Sequence, residues 1–325
     1  MNNVEYSSKA ISKWFECYEK LGESSDIGFN IEAIESASPF LHFKGHVSHI
    51  RGDGSSALFE LSKKMNFDLT HVSTKTPLSR TSLTTYIKQI FLFFYYARKR
   101  TVNIWMKNHT SANQPQSLQN TAEVKFTYEE FYQLKKKLAE NQLSLNAFLI
   151  TTLDQTIREY FNIKSETAWW IPVNFRAELG IDNNDKTING NLVSNFTLEI
   201  KENDTPHIVK QKISLALKQK RHWGVWFWQK IPHYLPEKII LKIAQHQISD
   251  NYYLGTFTNL GSWSSSSEFN KFYIYATTLK SHPIGASAIV VNDELYIALN
   301  INTSLNLSSN DISNIFEIWN LKIRN

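Results

Sequence analysis

Cysteine is nearly absent: Cys17 is the single one among 325 residues. One thiol forms no intramolecular disulfide, so the fold carries no covalent staple and rests on its core. Cys17 sits in an apolar helical pattern and reads as a small core residue. Long hydrophobic runs are also lacking. The longest, Ile90 to Ala97 in QIFLFFYYARKR, falls far below the roughly 20 residues that cross a bilayer as a helix. The start of the chain, MNNVEYSSKAISKW, has no basic segment leading into an apolar one. No signal peptide is therefore expected, and the cytoplasm is the expected location. No glycine-rich phosphate loop, internal repeat or low-complexity tract is found. Charge is not strongly one-sided either. The net charge of +5 is mild for this length, which argues against a nucleic-acid protein.

Aromatic residues are what the chain has in excess, at 13% with nine tryptophans. Such side chains need a core, a ligand pocket or a membrane interface to lie against. With 42% hydrophobic and 20% charged residues, the composition is that of a globular protein with a sizeable core.

Residues 7–21 carry Ile11, Trp14, Phe15, Tyr18 and Leu21 at helical spacing. Strands follow in GFNIEAI and FLHFKGHVSHI, then a helix in SALFELSKKMNF and a long apolar helix from Thr84 to Met106. The polar stretch NHTSANQPQSLQN has no periodicity and reads as a linker. We therefore divide the chain into an amino-terminal lobe (1–107), a linker (108–121) and a carboxyl-terminal lobe (122–325). Thr127 and Glu130 have capping-box spacing, and Ser144 caps a helix, SLNAFLITTLDQTIREYF, that is apolar around most of its circumference. Beyond lie TAWWIPVNFRAEL, NGNLVSNFTLEI, a helix HIVKQKISLALKQK, further strands with a hairpin at VVNDELYI, and a last helix SSNDISNIFEIWNLKI. Strands and helices are mixed throughout, which predicts an α/β or α+β fold in two lobes.

GHVSHIRGDGSS, residues 45–56, concentrates the chemistry. Strand alternation puts His42, Lys44, His46 and Ser48 on one face, and Leu41, Phe43, Gly45, Val47 and His49 on the other. His49 thus parts from the other two histidines, and no metal site is expected, because ligands must converge on one point. His49 is either a hydrogen-bonded core histidine or a general base with a pKa near working pH. Asp53, in the turn that follows, is either catalytic or an anchor held by an arginine.

The order HxxxDG, then SLNAFLITTLDQTIREYF, IPVNFR, NGNLVSNF and GTFTNLGSW, resembles the CoA-dependent acyltransferase superfamily from about Ile31 onward. That group includes chloramphenicol acetyltransferase, condensation domains, polyketide-associated acyltransferases and wax ester synthases. The resemblance implies a two-lobed chloramphenicol-acetyltransferase-like fold with mixed sheets. It makes His49 the catalytic base and Asp53 a structural residue paired with Arg176 of PVNFR. Gly54 would serve turn geometry and leave space for an acyl chain. Asn191, Ser194, Thr258 and Asn259 would supply polar groups to the oxyanion or channel. No cofactor would be permanently bound; acyl-CoA or acyl-phosphopantetheine on an acyl carrier protein would be the donor, and an alcohol or amine the acceptor. Two departures stand out. Ser48 occupies the place where many relatives carry another histidine, and the arm before the motif is short, so the first lobe is expected to be shortened.

The implied function is acyl transfer from a thioester to an alcohol. The alternatives are an amide-forming condensation-type enzyme, or a non-catalytic homologue binding a lipid or carrier protein. KQKRHWGVWFWQKIPHYLPEK interleaves Trp223, Trp226, Phe227 and Trp228 with basic residues. It fits either peripheral membrane contact or a helix packed on the second lobe with its basic groups in water.

Overall fold

Alternating and continuous apolar patterns sort the chain into two sheets with helices around them. The structure is a computed structural model and describes residues 3–34, 42–72, 83–98, 120–186, 190–249 and 253–325. In chain order the elements are α1 (Asn3–Lys20), β1 (Asp26–Ala33), β2 (His42–Ser48), α2 (Gly54–Met65), β3 (Thr70–His71), α3 (Leu83–Arg98), β4 (Thr121–Phe126), α4 (Tyr128–Glu140) and α5 (Leu145–Phe161). They continue with β5 (Thr167–Asn174), β6 (Val193–Ile200), α6 (Pro206–Lys218), α7 (Arg221–Gln229), α8 (Glu237–Ser249), β7 (Gly255–Ser264), β8 (Phe269–Tyr275), β9 (Ile284–Val291), β10 (Glu294–Ile301) and α9 (Ser309–Arg324). The expected linker falls largely outside the described residues, and Thr121 already belongs to β4. The long helix expected to Met106 is described as far as Arg98.

The small sheet runs β2-β1-β8 and the large one β4-β10-β9-β7-β5-β6, with β3 on β7. β8 comes from the second half of the chain yet pairs antiparallel with β1, so the first lobe's sheet is completed by a strand of the second. Both faces of the large sheet are covered. Leu295, Ile297 and Leu299 of β10 enter a core with α4, α5 and α9. Tyr296 and Ala298, pointing the other way, enter a second core with β1, β8 and α2. This accounts for the near-continuous apolar run of β10, since a strand buried on both sides has no polar face.

The local signals act where they were expected. Thr127 and Glu130 form a reciprocal capping box, and Ser144 accepts a hydrogen bond from the Ala147 N–H at 3.3 Å. Inside α5, Asp154 accepts from Arg158 Nε at 2.6 Å and from Trp169 Nε1 at 2.7 Å. Arg158 also donates to the Ile200 carbonyl at 2.6 Å. This buried network ties the helix to β5 and β6, and removing one charge from such a pair costs roughly 3–5 kcal/mol.

One feature of the sheet makes the site. β5 pairs parallel with β7 at Trp169–Gly255 and Trp170–Thr256. Further on, Pro172 has no N–H to offer a neighbour. Past that point β7 is held by β9 through Asn259, and residues of β5 and β7 face a common cavity. Gly255 is required at the closest approach: a Cβ there would lie 2.2 Å from the Ile284 carbonyl oxygen.

Candidate active site between the two sheets

The cavity has a volume of about 330 Å³. It is walled by α1, β1, the loop after β2, and the ends of β5, β6, β7 and β8, so both lobes contribute to it. His49, Gly54, Asn191, Thr258 and Asn259 line it.

His49 follows the last residue of β2, and its ring stacks on Phe15 of α1 with centroids 4.6 Å apart and planes 8° from parallel. α1 is tied to the same loop, since Ser12 Oγ donates to the Ile50 carbonyl at 2.7 Å. His49 Nδ1 lies 3.2 Å from Asn191 Oδ1. The Asn191 amide NH₂ donates to the His49 carbonyl, which fixes which way the side chain points. Asn191 Oδ1 can only accept, so the proton of a neutral ring sits on Nδ1 and the basic lone pair on Nε2. Burial lowers the His49 pKa; the Asn191 bond, the Asp53 charge and the Gly52 carbonyl push back without restoring the ordinary value. The ring is therefore neutral at neutral pH. His42 and His46 lie on the exposed face of β2. Among the described residues no three His, Cys, Asp or Glu side chains are grouped as a metal ion needs.

Asp53 and Arg176 meet. Arg176 donates from Nη1 to Asp53 Oδ2 at 2.8 Å and from Nη2 to Oδ1 at 3.0 Å, with both side chains buried. The backbone N–H groups of Ser56 and Leu192 each donate to the same carboxylate at 2.9 Å. Burial alone would raise the Asp53 pKa, but the Arg176 charge and these hydrogen bonds outweigh it and hold the carboxyl below its usual range. Asp53 is also the N-cap of α2. One buried carboxylate thus joins α2, the PVNFR turn and the NGNL loop, and with them the segments that carry His49 and Asn191. Ser56, which the motif reading passed over, accepts from Arg176 Nη2 at 2.8 Å and donates to the Gly190 carbonyl at 3.0 Å.

The other polar positions divide. Ser194 is fully buried, its hydroxyl donates to the His222 carbonyl, and it does not line the cavity. Asn259 spans the bulge in β7, accepting from the Gly261 N–H at 2.8 Å and donating to Asn146 Oδ1. Thr258 lines the cavity. Two residues earlier, and so on the same side of the strand, Thr256 Oγ1 is buried without a hydrogen-bond partner and also lines the cavity. Gly54 opens α2 without a left-handed φ, so turn geometry does not require it. A Cβ there would lie 2.8 Å from Leu260 Cδ2, the far end of a side chain that can shift, so the position is tight without demanding glycine.

Two more histidines reach the cavity. His71, on β3, makes an edge contact with Trp263 at 4.8 Å. His282 lies 3.1 Å through Nδ1 from Ser281 Oγ, and burial pushes its pKa down to about 3. Neither stands out in the sequence, where each is a lone histidine between strands. Trp223 and Trp226 turn inward and pack on Phe175, with centroids 4.7 and 4.3 Å away. Of the two readings of this stretch, that packing fits a helix packed on the second lobe for these two indoles, which lie in a core.

No family model matches the sequence, and no curated protein is matched by it. Solved structures do match. The trichothecene 15-O-acetyltransferase TRI3 from Fusarium sporotrichioides superposes with a TM-score of 0.59 at 9% identity, covering 97% of this chain and 74% of that one. The EpoB cyclization-docking bidomain from Sorangium cellulosum gives 0.52 at 13%, covering 91% and 62%. The condensation domain of the Monacolin K polyketide synthase MokA gives 0.50 at 9%, covering 91% and 72%. The chain therefore has the two-lobed fold of these acetyltransferase and condensation-domain structures. At these identities the likeness is one of fold, and the chain spans 62% to 74% of the length of these three structures.

Proposed function

We propose that this protein is an acyltransferase that moves an acyl group from a thioester, carried on CoA or on an acyl carrier protein, to an alcohol. The observation that carries the reading is His49: a neutral imidazole in a cavity between the lobes, with its proton held on Nδ1 by Asn191. His49 Nε2 takes the proton of the acceptor hydroxyl as the oxygen attacks the thioester carbonyl. The C–S bond then breaks, and the imidazolium returns the proton to the leaving thiolate. General-base help of this kind contributes roughly 10²–10⁴-fold in rate. The developing oxyanion needs a donor, and the Thr258 hydroxyl on the cavity wall, with Thr256 beside it, suits that role better than Ser194. Asp53 and Arg176 keep the histidine's loop in place and take no proton.

The test is to incubate the purified chain with a panel of acyl-CoAs and with alcohols or amines, and to follow products by mass spectrometry. Ester formation that needs His49 supports the reading. Amide as the sole product would move the protein to the condensation-type reading. No product with any thioester, free or carrier-bound, would leave a non-catalytic binder.

A further inference from the structure

α3 presents an apolar stripe to the outside. Leu83, Ile87, Phe91 and Tyr95 recur every fourth residue and are 75%, 49%, 71% and 52% exposed. Phe94 extends the stripe and makes an edge contact with Trp228 of α7. The opposite side of α3 is sealed. Gln89 is buried and donates to the Gln219 carbonyl, and a Cβ at Gly224 would lie 2.5 Å from the Gln89 carbonyl oxygen. α3 thus lies close against α7, with Leu83, Ile87, Phe91 and Tyr95 exposed. Phe227 of α7 and Tyr234 just beyond it are also exposed.

The sequence segments that carry these two helices have charge of one sign. From Leu69 to Ala122, and again from Thr205 to Pro236, the sequence has no Asp or Glu. These two stretches hold 13 of the 35 Lys and Arg residues and none of the 30 acids. They supply α3 and α7, the helices that pack together. Lys88 lies exposed beside Ile87 on α3, and Lys218 lies exposed one turn before α7. A helix with exposed Leu, Ile, Phe and Tyr beside an exposed lysine, in a sequence segment without acids, matches the make-up of helices that lie in an anionic lipid interface. A second copy of the chain would bring the same positive field against itself, which opposes self-association through this face.

We propose that the outer face of α3, backed by α7, docks the protein on an anionic membrane surface. α7 ends at Gln229, which lines the central cavity, so the bilayer would lie one helix layer from the site. The proposal does not depend on acyl transfer, and its test needs no substrate. The purified full chain is floated with vesicles of phosphatidylcholine mixed with phosphatidylserine, and with vesicles of phosphatidylcholine alone, at low and high salt. We expect binding to the anionic vesicles that weakens with salt. We expect the Leu83→Asp, Phe91→Asp double variant to lose about tenfold or more in affinity, and Lys88→Glu to reduce it further. Should the double variant fail to fold, Phe91→Ser and the salt series on the native chain decide the matter. Equal binding to neutral vesicles, no binding at low salt, or unchanged binding by a folded Phe91 variant overturns the proposal. So does a dimer in light scattering that Phe91→Ser converts to monomer, because a second copy would then cover the face.

Discussion

The His49 ring is made useful by three neighbours rather than by its own type. Phe15 sets its plane, Asn191 sets its tautomer, and burial holds its pKa below the ordinary 6.5. A base that resists protonation keeps working as pH falls through 6.5. The acid limb of kcat/KM is therefore expected below that value, and a pH–rate profile with its midpoint at or above 6.5 would contradict this. Asn191→Ala removes the bond to Nδ1 and lets the wrong tautomer form. We expect kcat to fall by about tenfold, the equivalent of one hydrogen bond of roughly 1.4 kcal/mol, with KM little changed. Steady-state kinetics on the folded variant checks the split. Alternation along β2 already separates His49 from His42 and His46 in the sequence. The roles of Asn191 and Ser194 are not legible there. A period of two says which side a residue faces, but not that Asn191 closes on the His49 backbone or that the Ser194 hydroxyl is committed to the His222 carbonyl.

Among the elements, the Asp53–Arg176 pair is the joint on which the site depends. It binds the start of α2 to the segments after β5 and before β6. Asp53→Asn leaves the Arg176 guanidinium buried without its counter-charge, and the loss of stability is expected to be roughly 3–5 kcal/mol. Urea denaturation reads this directly, and a loss below about 1 kcal/mol, the worth of a surface ion pair, would mean that the pair is not the joint described. Hairpins, caps and the buried helix α5 could be read in the sequence because their signals are local. The exchange of β8 into the first lobe's sheet could not. Its apolar pattern is satisfied equally by either sheet, and only the packing of the small sheet over β9 and β10 selects β1 as partner. Trp223 and Trp226 were ambiguous for the same kind of reason. Helical spacing puts them near each other, and Phe175, distant in sequence, makes that side the inner one.

Across the whole molecule, buried neutral histidines tie stability to pH. His222 and His282 have pKa values pushed down by burial to about 4 and about 3, against 6.5 for the unperturbed group. Below 6.5 the unfolded chain binds protons that the folded chain refuses. Their stabilising contribution is complete above 6.5 and is lost as pH falls toward the folded values. Each adds a slope of up to about 1.4 kcal/mol per pH unit. The urea midpoint should therefore fall steadily from pH 7 to pH 5, and less steeply in His282→Gln; equal midpoints at the two pH values would contradict the burial. No described helix is long and apolar enough to cross a membrane. The central claim is that a neutral His49 in the inter-lobe cavity is the base for acyl transfer. Its most direct test is mass spectrometric detection of ester from acyl thioester and alcohol, with the native chain and His49→Ala side by side. The account predicts ester from the native chain and a rate lower by roughly 10²–10⁴-fold from the folded variant. Equal rates from the two proteins would contradict it.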